Sequence, residues 1–425
     1  MRRRKFIEIS AAGSAALASS LYFPDLSQDR KLKIALIGSG WYGMVDIKAA
    51  LKVGGVEVIA ICDVDSAHLI SSADEIEKLQ GKRPETFKYY SELLEIKGID
   101  ALFIGTIPHW HALQFIAACH KGLDIYCEKP LAYDIKEGLA MVDAANKAGN
   151  IVQVGFQRRQ SNAFSKAKDL IGSGRIGKVH QVVAQIHYIP VLEDTTIQQP
   201  PSSLDWEEWC GPAPKLDYRP NIGHKAWRLE KVYGNGHLVD WGIHHIDIIR
   251  RIMGAGMPSE FYTKGGIYEL KDKITTPDTL TSYMTFPEFQ LIWQHRLWGT
   301  GEANREFNNG IFFHGEKGSL FAEDSRVTIF PAGREAQKEV LNIPTEMMQE
   351  KHVENFLMAV RNKDKKLINC SPEDAFQSTA TVQLAMISYN TGSAVKWDMS
   401  KKDITENTEA SKLMIRDYRG KFQHP

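Results

Sequence analysis

Between Lys33 and Asp65 the chain reads KIALIGSGWYGMVDIKAALKVGGVEVIAICDVD, and this stretch restricts the fold more than any other. Lys33 to Ile37 is a short apolar, β-branched run that breaks into Gly38-Ser39-Gly40-Trp41-Tyr42-Gly43. A helical pattern follows (Val45, Ala49, Ala50, Val53), and a second apolar run, Val56 to Cys62, ends at Asp63. GxGxxG between a strand and a helix has a mechanical reading. Gly38 permits the tight turn, Gly40 lets backbone N–H groups approach a pyrophosphate, and Gly43 brings helix against strand. The helix start then offers unpaired N–H groups and a positive dipole end to the phosphates. Asp63 comes twenty residues after Gly43, where a carboxylate accepts hydrogen bonds from a ribose 2′-OH and repels a 2′-phosphate. The stretch therefore predicts a βαβ dinucleotide site, with NAD favoured over NADP.

The same rhythm continues downstream. Helical patterns over Ala67 to Leu79, Ser91 to Ile96, Ala112 to Lys121 and Asp134 to Ala148 alternate with apolar runs at Ala101 to Gly105, Asp124 to Cys127 and Ile151 to Val154. Strands alternating with helices at this spacing indicate a doubly wound parallel sheet, a Rossmann domain, over residues 31–155. After Gly155 the pattern changes. Strand-like runs at 179–189, 260–265, 279–286, 291–297, 311–314, 320–322 and 327–330 follow one another, interrupted mainly by a helix at Gly242 to Met253. Helices return at 353–361 and 372–389. The expectation for 156–400 is an α+β domain built on a large, mostly antiparallel open sheet, with 401–425 a polar, loosely ordered tail. Pro190 to Lys231 is rich in Pro, Trp and Asp and lacks periodicity; a loop this long inside a compact domain is usually functional.

Charge and composition remove several classes of function. Lys and Arg number 52 and so do Asp and Glu, so no basic surface calls for nucleic acid or anionic lipid. No run after the N-terminus is long and charge-free enough to span a bilayer. The five cysteines, at 62, 119, 127, 210 and 370, form neither a metal-like spacing nor an even disulfide set. No histidine pair has the ligand spacing of a zinc enzyme, and no metal is expected.

The N-terminus differs from the rest. Residues 1–7, MRRRKFI, are basic, residues 9–23 carry no charge, and Ala16-Leu17-Ala18 offers a small-residue cleavage site. This is the three-part pattern of a secretory signal, and Arg3-Arg4 before Lys5-Phe6-Ile7 resembles the twin-arginine type that exports folded proteins. Residues 1–30 are therefore read as export signal and linker, giving a periplasmic protein that begins near Ser19. The alternative is an uncleaved basic start on a cytoplasmic protein.

At Glu128-Lys129-Pro130 the reading becomes specific. The glycine-rich turn, this EKP after a later strand, and Gly234-Asn235-Gly236-His237-Leu238-Val239-Asp240-Trp241-Gly242-Ile243-His244 downstream together resemble the glucose–fructose oxidoreductase and inositol dehydrogenase family. The resemblance covers about residues 31–395. It implies a sugar or polyol site between the two domains and a homo-oligomer, dimer or tetramer, formed through the C-terminal sheet. It also assigns catalysis to Lys129, Asp240 and His244, roles that suit their chemistry. Oxidising a secondary alcohol needs a base for the hydroxyl proton, and an imidazole serves. Lys129 ends a parallel strand, where ligands of such sheets bind, and its ammonium can stabilise an alkoxide-like oxygen. Asp240 lies four residues before His244 and on one helix would share its face.

By the same resemblance Thr106, Pro108, His109, His111, Glu128 and Gln157 border the cofactor, together with Ser39, Trp41 and Tyr42 of the glycine-rich turn. Arg158, Trp227, Trp241 and His245 are candidate substrate contacts. The expected activity is NAD-dependent hydride transfer from a sugar, polyol or glycoside, with the nucleotide tightly held. Two alternatives stand beside it: glycoside cleavage through a transient keto-sugar on bound NAD, and non-enzymatic sugar binding.

Overall fold

A computed structural model describes residues 30–425; the export-signal reading of the N-terminus lies outside the described residues. The first unit runs β1 (Leu32–Ile37), α1 (Trp41–Val53), β2 (Val56–Cys62), α2 (Ser66–Gln80), β3 (Glu85–Phe87), β4 (Ala101–Ile104), α3 (Pro108–His120), β5 (Asp124–Glu128), α4 (Ile135–Ala148) and β6 (Val152–Gly155). Its six strands lie in the order β3-β2-β1-β4-β5-β6, and every pairing is parallel. Helices cover both faces, so the strands read as unbroken apolar runs; all four residues of β4 are buried. The strand order reverses between β1 and β4, which opens a crevice beyond their carboxyl ends.

The second unit adds α5 (Asn162–Gly172), β7 (Val179–Ile186), α6 (Ile243–Met253), β8 (Glu260–Gly266), β9 (Thr279–Thr285), β10 (Gln290–Arg296), β11 (Asn309–Gly315), β12 (Gly318–Glu323), β13 (Arg326–Pro331), β14 (Glu339–Asn342), α7 (Met348–Asn362), α8 (Pro372–Thr391), β15 (Val395–Asp398) and β16 (Asp403–Thr405). Ten strands form one sheet, β14-β13-β12-β11-β7-β10-β9-β8-β15-β16. It is antiparallel apart from β7 beside β10. Residues alternate along β9 and β10: Leu280, Ser282, Met284, Leu291, Trp293 and His295 are buried. Helices α6 and α8 pack their Ile246, Ile249, Leu384 and Ile387 into the same core. The opposite face carries exposed Tyr262 and Tyr283.

Two segments bind the second unit to the first. Helix α7 returns to the nucleotide unit, and Val353, Phe356, Leu357 and Val360 share a core with Leu36, Ile47 and Phe103. The aperiodic stretch from 190 to 231 crosses over as well. Ser66 N–H donates to Ser203 O at 2.9 Å and Asp205 N–H to Val64 O at 3.0 Å, while Lys88 pairs with Asp205 at 2.6 Å. In place of periodic structure the crossing stretch has its own small core of Leu204, Trp206, Trp209, Cys210 and Tyr233, with the two indoles stacked at 4.5 Å.

The tail corrects the expectation of loose order. β16 pairs with β15, and Arg416 reaches the fully buried Glu137 at 2.7 Å. Phe422 meets Trp110 edge-on at 5.2 Å. Polar composition misled here because Arg416 and His424 dock onto the buried carboxylates of Glu137 and Asp134, although the tail's other charges stay at the surface.

Candidate active site

The crevice at the strand-order reversal is a cavity of about 1280 Å³, above the roughly 300–1,000 Å³ of a typical small-ligand pocket. Gly38, Ser39, Gly40, Trp41, Tyr42 and Asp63 line it together with Glu128, Lys129, Gln157, Arg158, Trp227, Asp240, Trp241 and His244, and Gln157 Nε2 donates to Tyr42 OH. Gly43 lies beneath the turn. A Cβ there would fall 1.9 Å from Gly38 O, whereas one on Gly40 would meet nothing nearer than 3.9 Å. The turn is thus closed towards the sheet and open towards the cavity, as close approach of a pyrophosphate requires.

Asp63 accepts from Asp65 N–H at 2.9 Å and from Ser39 Oγ at 3.3 Å; burial raises its pKa above the usual carboxylate value. Oε1 of Glu128 and Oε1 of Gln157 are buried without partners, the former against Gly155. An open glycine turn and a carboxylate after β2 fit a dinucleotide in the cavity.

Around Lys129 the contacts are close. Its Nζ donates to Asp240 O at 2.8 Å and to Asp240 Oδ1 at 3.0 Å. Arg228 takes the other carboxylate oxygen, Nε to Oδ2 at 3.1 Å, with its guanidinium 4.3 Å from the Trp227 ring centre. Burial opposes ionisation of Asp240, but the charges of Lys129 and Arg228 hold it below the usual carboxylate range.

The glycines of the second motif explain how Arg228 arrives. Gly234 crosses the 227–228 backbone so closely that a Cβ would lie 2.5 Å from Arg228 Cα, and Gly236 N–H donates to Arg228 O at 2.9 Å. Asp240 then falls within a π-helical turn, Leu238–Gly242, ahead of α6. Such wide turns are rare and concentrate at functional sites.

That turn alters one expectation. Asp240 is bound by Lys129 and Arg228 and makes no hydrogen bond to His244, because the wide turn breaks the simple four-residue helical relation. His244 lies 5 % exposed with Nδ1 lacking a partner. Burial first, then the charges of Lys129 and Arg158, push its pKa well below that of ordinary histidine; the ring is neutral at pH 7.

Other predicted residues divide. Thr106 and Pro108 line the cavity with Glu128 and Gln157, and so do Arg158, Trp227 and Trp241. Three histidines do not. His109 is fully buried, its Nε2 3.0 Å from Trp209 O. His111 has both ring nitrogens engaged, by Pro130 O at 2.9 Å and Thr106 O at 3.0 Å, and so ties the EKP turn to the end of β4. His245 is buried behind Arg158, Nε2 to guanidinium 3.1 Å. All three were placed by their nearness to strand ends or motifs. Adjacent helical positions face different ways, which turns them into the packing.

Sequence reasoning missed Arg228, Tyr188 and Asp324 in the cavity wall. The lack of periodicity around Arg228 was its only signal. Asp324 pairs with Arg158 at 3.2 Å and comes from a β-turn with no motif.

Comparison with known proteins agrees with this architecture. Residues 32–156 match the family model described as "Oxidoreductase family, NAD-binding Rossmann fold", and residues 186–424 its "C-terminal alpha/beta domain". The myo-inositol 2-dehydrogenase of Thermotoga maritima is 25% identical over 303 residues, 70% of this chain and 77% of that protein. A glycosyl hydrolase family 109 protein of Stenotrophomonas maltophilia is 37% identical over 136 residues, 30% of this chain and 29% of that protein. Among solved structures, a levoglucosan dehydrogenase in complex with NADH and levoglucosan shares the fold, with a TM-score of 0.67 at 19% identity over 86% of this chain and 99% of that one. Both units of the chain, in order, thus place it in the Gfo/Idh/MocA family of NAD-binding oxidoreductases.

Proposed function

We propose that this protein oxidises a secondary hydroxyl of a sugar, polyol or glycoside, with Lys129, Asp240 and His244 as the catalytic group. The observation that carries the reading is the meeting of Lys129 Nζ with Asp240 at 3.0 Å in the cavity that His244 and the glycine-rich turn also line. NAD, when bound, supplies the hydride acceptor. The chain's residues do the rest. Neutral His244 accepts the hydroxyl proton, and the Lys129 ammonium stabilises the negative charge left on that oxygen as it becomes the carbonyl. Asp240 holds that ammonium in place. The aromatic faces of Trp227 and Trp241 suit the apolar side of a pyranose ring. Dehydrogenases of inositol and levoglucosan among the similar proteins support a carbohydrate substrate.

The test is mass spectrometry of nucleotide released from the purified protein, followed by NADH absorbance across a panel of sugars and polyols. Net NADH formation on one of them is the expected result; none across the panel argues against a dehydrogenase.

A second reading rests on the likeness to the glycosyl hydrolase family 109 protein. Here oxidation is transient, the ketone acidifies the adjacent C–H, the glycosidic substituent is eliminated, and the product is reduced again. Aglycone release without NADH accumulation distinguishes it.

Retention of the nucleotide and export belong to the same proposal. A protein exported folded through a twin-arginine route carries its NAD with it, and tight binding to the native state also stabilises the fold. The crossing segment from 190 to 231, laid over the cavity, supports such retention. The exposed sheet face with Tyr262 and Tyr283 is the surface for a homo-oligomer. Fractionating the host with wild type and Arg3→Lys/Arg4→Lys tests export: activity confined to the cytoplasm in both strains removes it.

A further inference from the structure

Away from Lys129, where the crossing segment meets α2, three residues come together beside Asp63, and two of them, His68 and His224, line the same cavity. Asp65 caps α2, its carboxylate accepting from Ala67 N–H at 2.9 Å. His68 lies in the first turn of the same helix, and His224 is brought from the crossing segment. His224 Nε2 lies 2.9 Å from Asp65 Oδ2, and the two imidazole rings are 4.1 Å apart at an angle of 44°. One donor atom from each of the three residues falls within 4.8 Å of the other two.

A simple ion pair accounts for Asp65 and His224. It does not account for His68, which stacks on His224 without a hydrogen bond to any described residue. Each imidazole offers a ring nitrogen beside the Asp65 carboxylate, and a divalent cation is the partner all three can share.

We infer that Asp65, His68 and His224 form a binding site for a divalent transition metal, with Zn²⁺ the best match to two imidazoles and a carboxylate. Such a donor set suits Zn²⁺ more than Mg²⁺ or Ca²⁺, which take oxygen ligands. Zn²⁺ binds nitrogen and oxygen at about 2.0–2.2 Å in a tetrahedron, which puts ligand atoms roughly 3.3 Å apart. The Asp65–His224 spacing of 2.9 Å is already near that value. Both histidines are only partly buried, so rotation of their side chains closes the rest, and water completes the fourth position. The Ala67 N–H on Oδ1 keeps the carboxylate oriented, as partners behind a metal ligand do.

The other cluster of this kind, Asp134, Glu137 and His424, already holds the Arg416 guanidinium and has no room for a second cation. The site at Asp65 would fasten the crossing segment to the nucleotide unit just before Trp227 and Arg228, and so fix one wall of the cavity. Its ligands lie 159 residues apart in sequence, which is why no motif shows it.

The test uses the full protein after chelator treatment and dialysis, titrated with Zn²⁺ alone by calorimetry and with Co²⁺ by visible absorbance. One equivalent of Zn²⁺ at micromolar affinity or tighter is expected, with the ligand-field bands of tetrahedral Co²⁺. His68→Ala and His224→Ala should each weaken binding at least tenfold while melting temperature without metal stays near wild type. Absence of saturable Zn²⁺ binding overturns the inference, and so does unchanged affinity in both variants. Neither measurement needs the substrate, so failure here leaves the dehydrogenase reading untouched.

Discussion

Arg228 Nε lies 3.1 Å from Oδ2 of Asp240, on the carboxylate oxygen that Lys129 leaves free. Two cations thus hold one buried anion, and only one of them belongs to a recognisable motif. Removing Arg228 leaves Asp240 in the same low-polarity place with half its compensation, so its pKa should rise. Arg228→Ala should lower turnover on the sugar identified by the panel by roughly ten- to a hundredfold, below the ~10²–10³ of a group acting directly on the reacting oxygen. The acid limb of the pH–rate profile should move to higher pH. Arg228→Lys should recover only part of the loss, since an ammonium cannot keep the flat stacking on Trp227. Wild-type rates for Arg228→Ala would remove the residue from the site.

The direct groups should matter more. Lys129→Ala and His244→Ala should each reduce turnover by at least ~10²-fold, the scale of acid–base and electrostatic catalysis. Nucleotide affinity, set largely at the glycine-rich turn, should change little. His244 is held neutral by burial and by the nearby cations, so the wild-type rate should show no histidine-like fall as pH drops through about 6.5, the ordinary histidine value. Steady-state rates with calorimetry of NAD separate the two effects. A variant that turns over normally loses the role given to it here.

Much of this site can be read from local rules, and the remainder cannot. The glycine-rich turn, the end of β5 and the motif before α6 are each defined within a dozen residues, and each carries its chemistry in its own sequence. The parallel sheet was legible because its buried strands are continuous apolar runs between helices. Arg228 and His224 were not, since their positions depend on where an aperiodic segment docks, and that is decided by distant partners such as Trp110, whose Nε1 donates to Glu208 O at 3.1 Å. His109 and His111 show the converse. They sit at the expected strand end, yet the first turn of α3 directs both into the packing, with His109 Nε2 and the His111 ring against backbone carbonyls.

Asp63 bears on cofactor choice. Its carboxylate lines the cavity beyond β2 and already accepts from Ser39 and from Asp65 N–H, so a 2′-phosphate would meet charge repulsion. Calorimetry should show NAD bound more tightly than NADP by at least tenfold, and Asp63→Ser should narrow that gap. Equal affinities in the wild type would contradict the assignment.

The tail gives a stability prediction. Glu137 is fully buried, and Arg416 reaches it at 2.7 Å while also donating to His109 O at 2.8 Å. Deleting one partner of a buried pair leaves the other charge uncompensated, at a cost of roughly 3–5 kcal/mol. Arg416→Ala should lower the denaturant midpoint accordingly, whereas Lys412→Ala, whose exposed pair with Glu409 lies one helical turn away, should stay within about 0.5 kcal/mol of wild type. Similar small losses in both would mean that the tail contributes little to the fold.

Glu128 sets a different pH dependence. Its Oε1 is buried without a partner, and Gly155 leaves the space it occupies, since a Cβ there would fall 2.2 Å from that oxygen. Burial pushes its pKa up to about 8, against the opposing pull of Lys129. Below that pH the side chain is a neutral acid beside Lys129. Above it, a new anion next to Lys129 competes with the substrate oxygen for the ammonium. The wild-type rate should therefore change with a midpoint near pH 8. Glu128→Gln keeps the shape and the donor but cannot ionise, so it should retain turnover at neutral pH within about threefold and lose the step, since only the ionisable group supplies it. A step that persists in Glu128→Gln would assign the titration to another group, and loss of most activity at neutral pH would show that the proton on Glu128 is itself needed for catalysis.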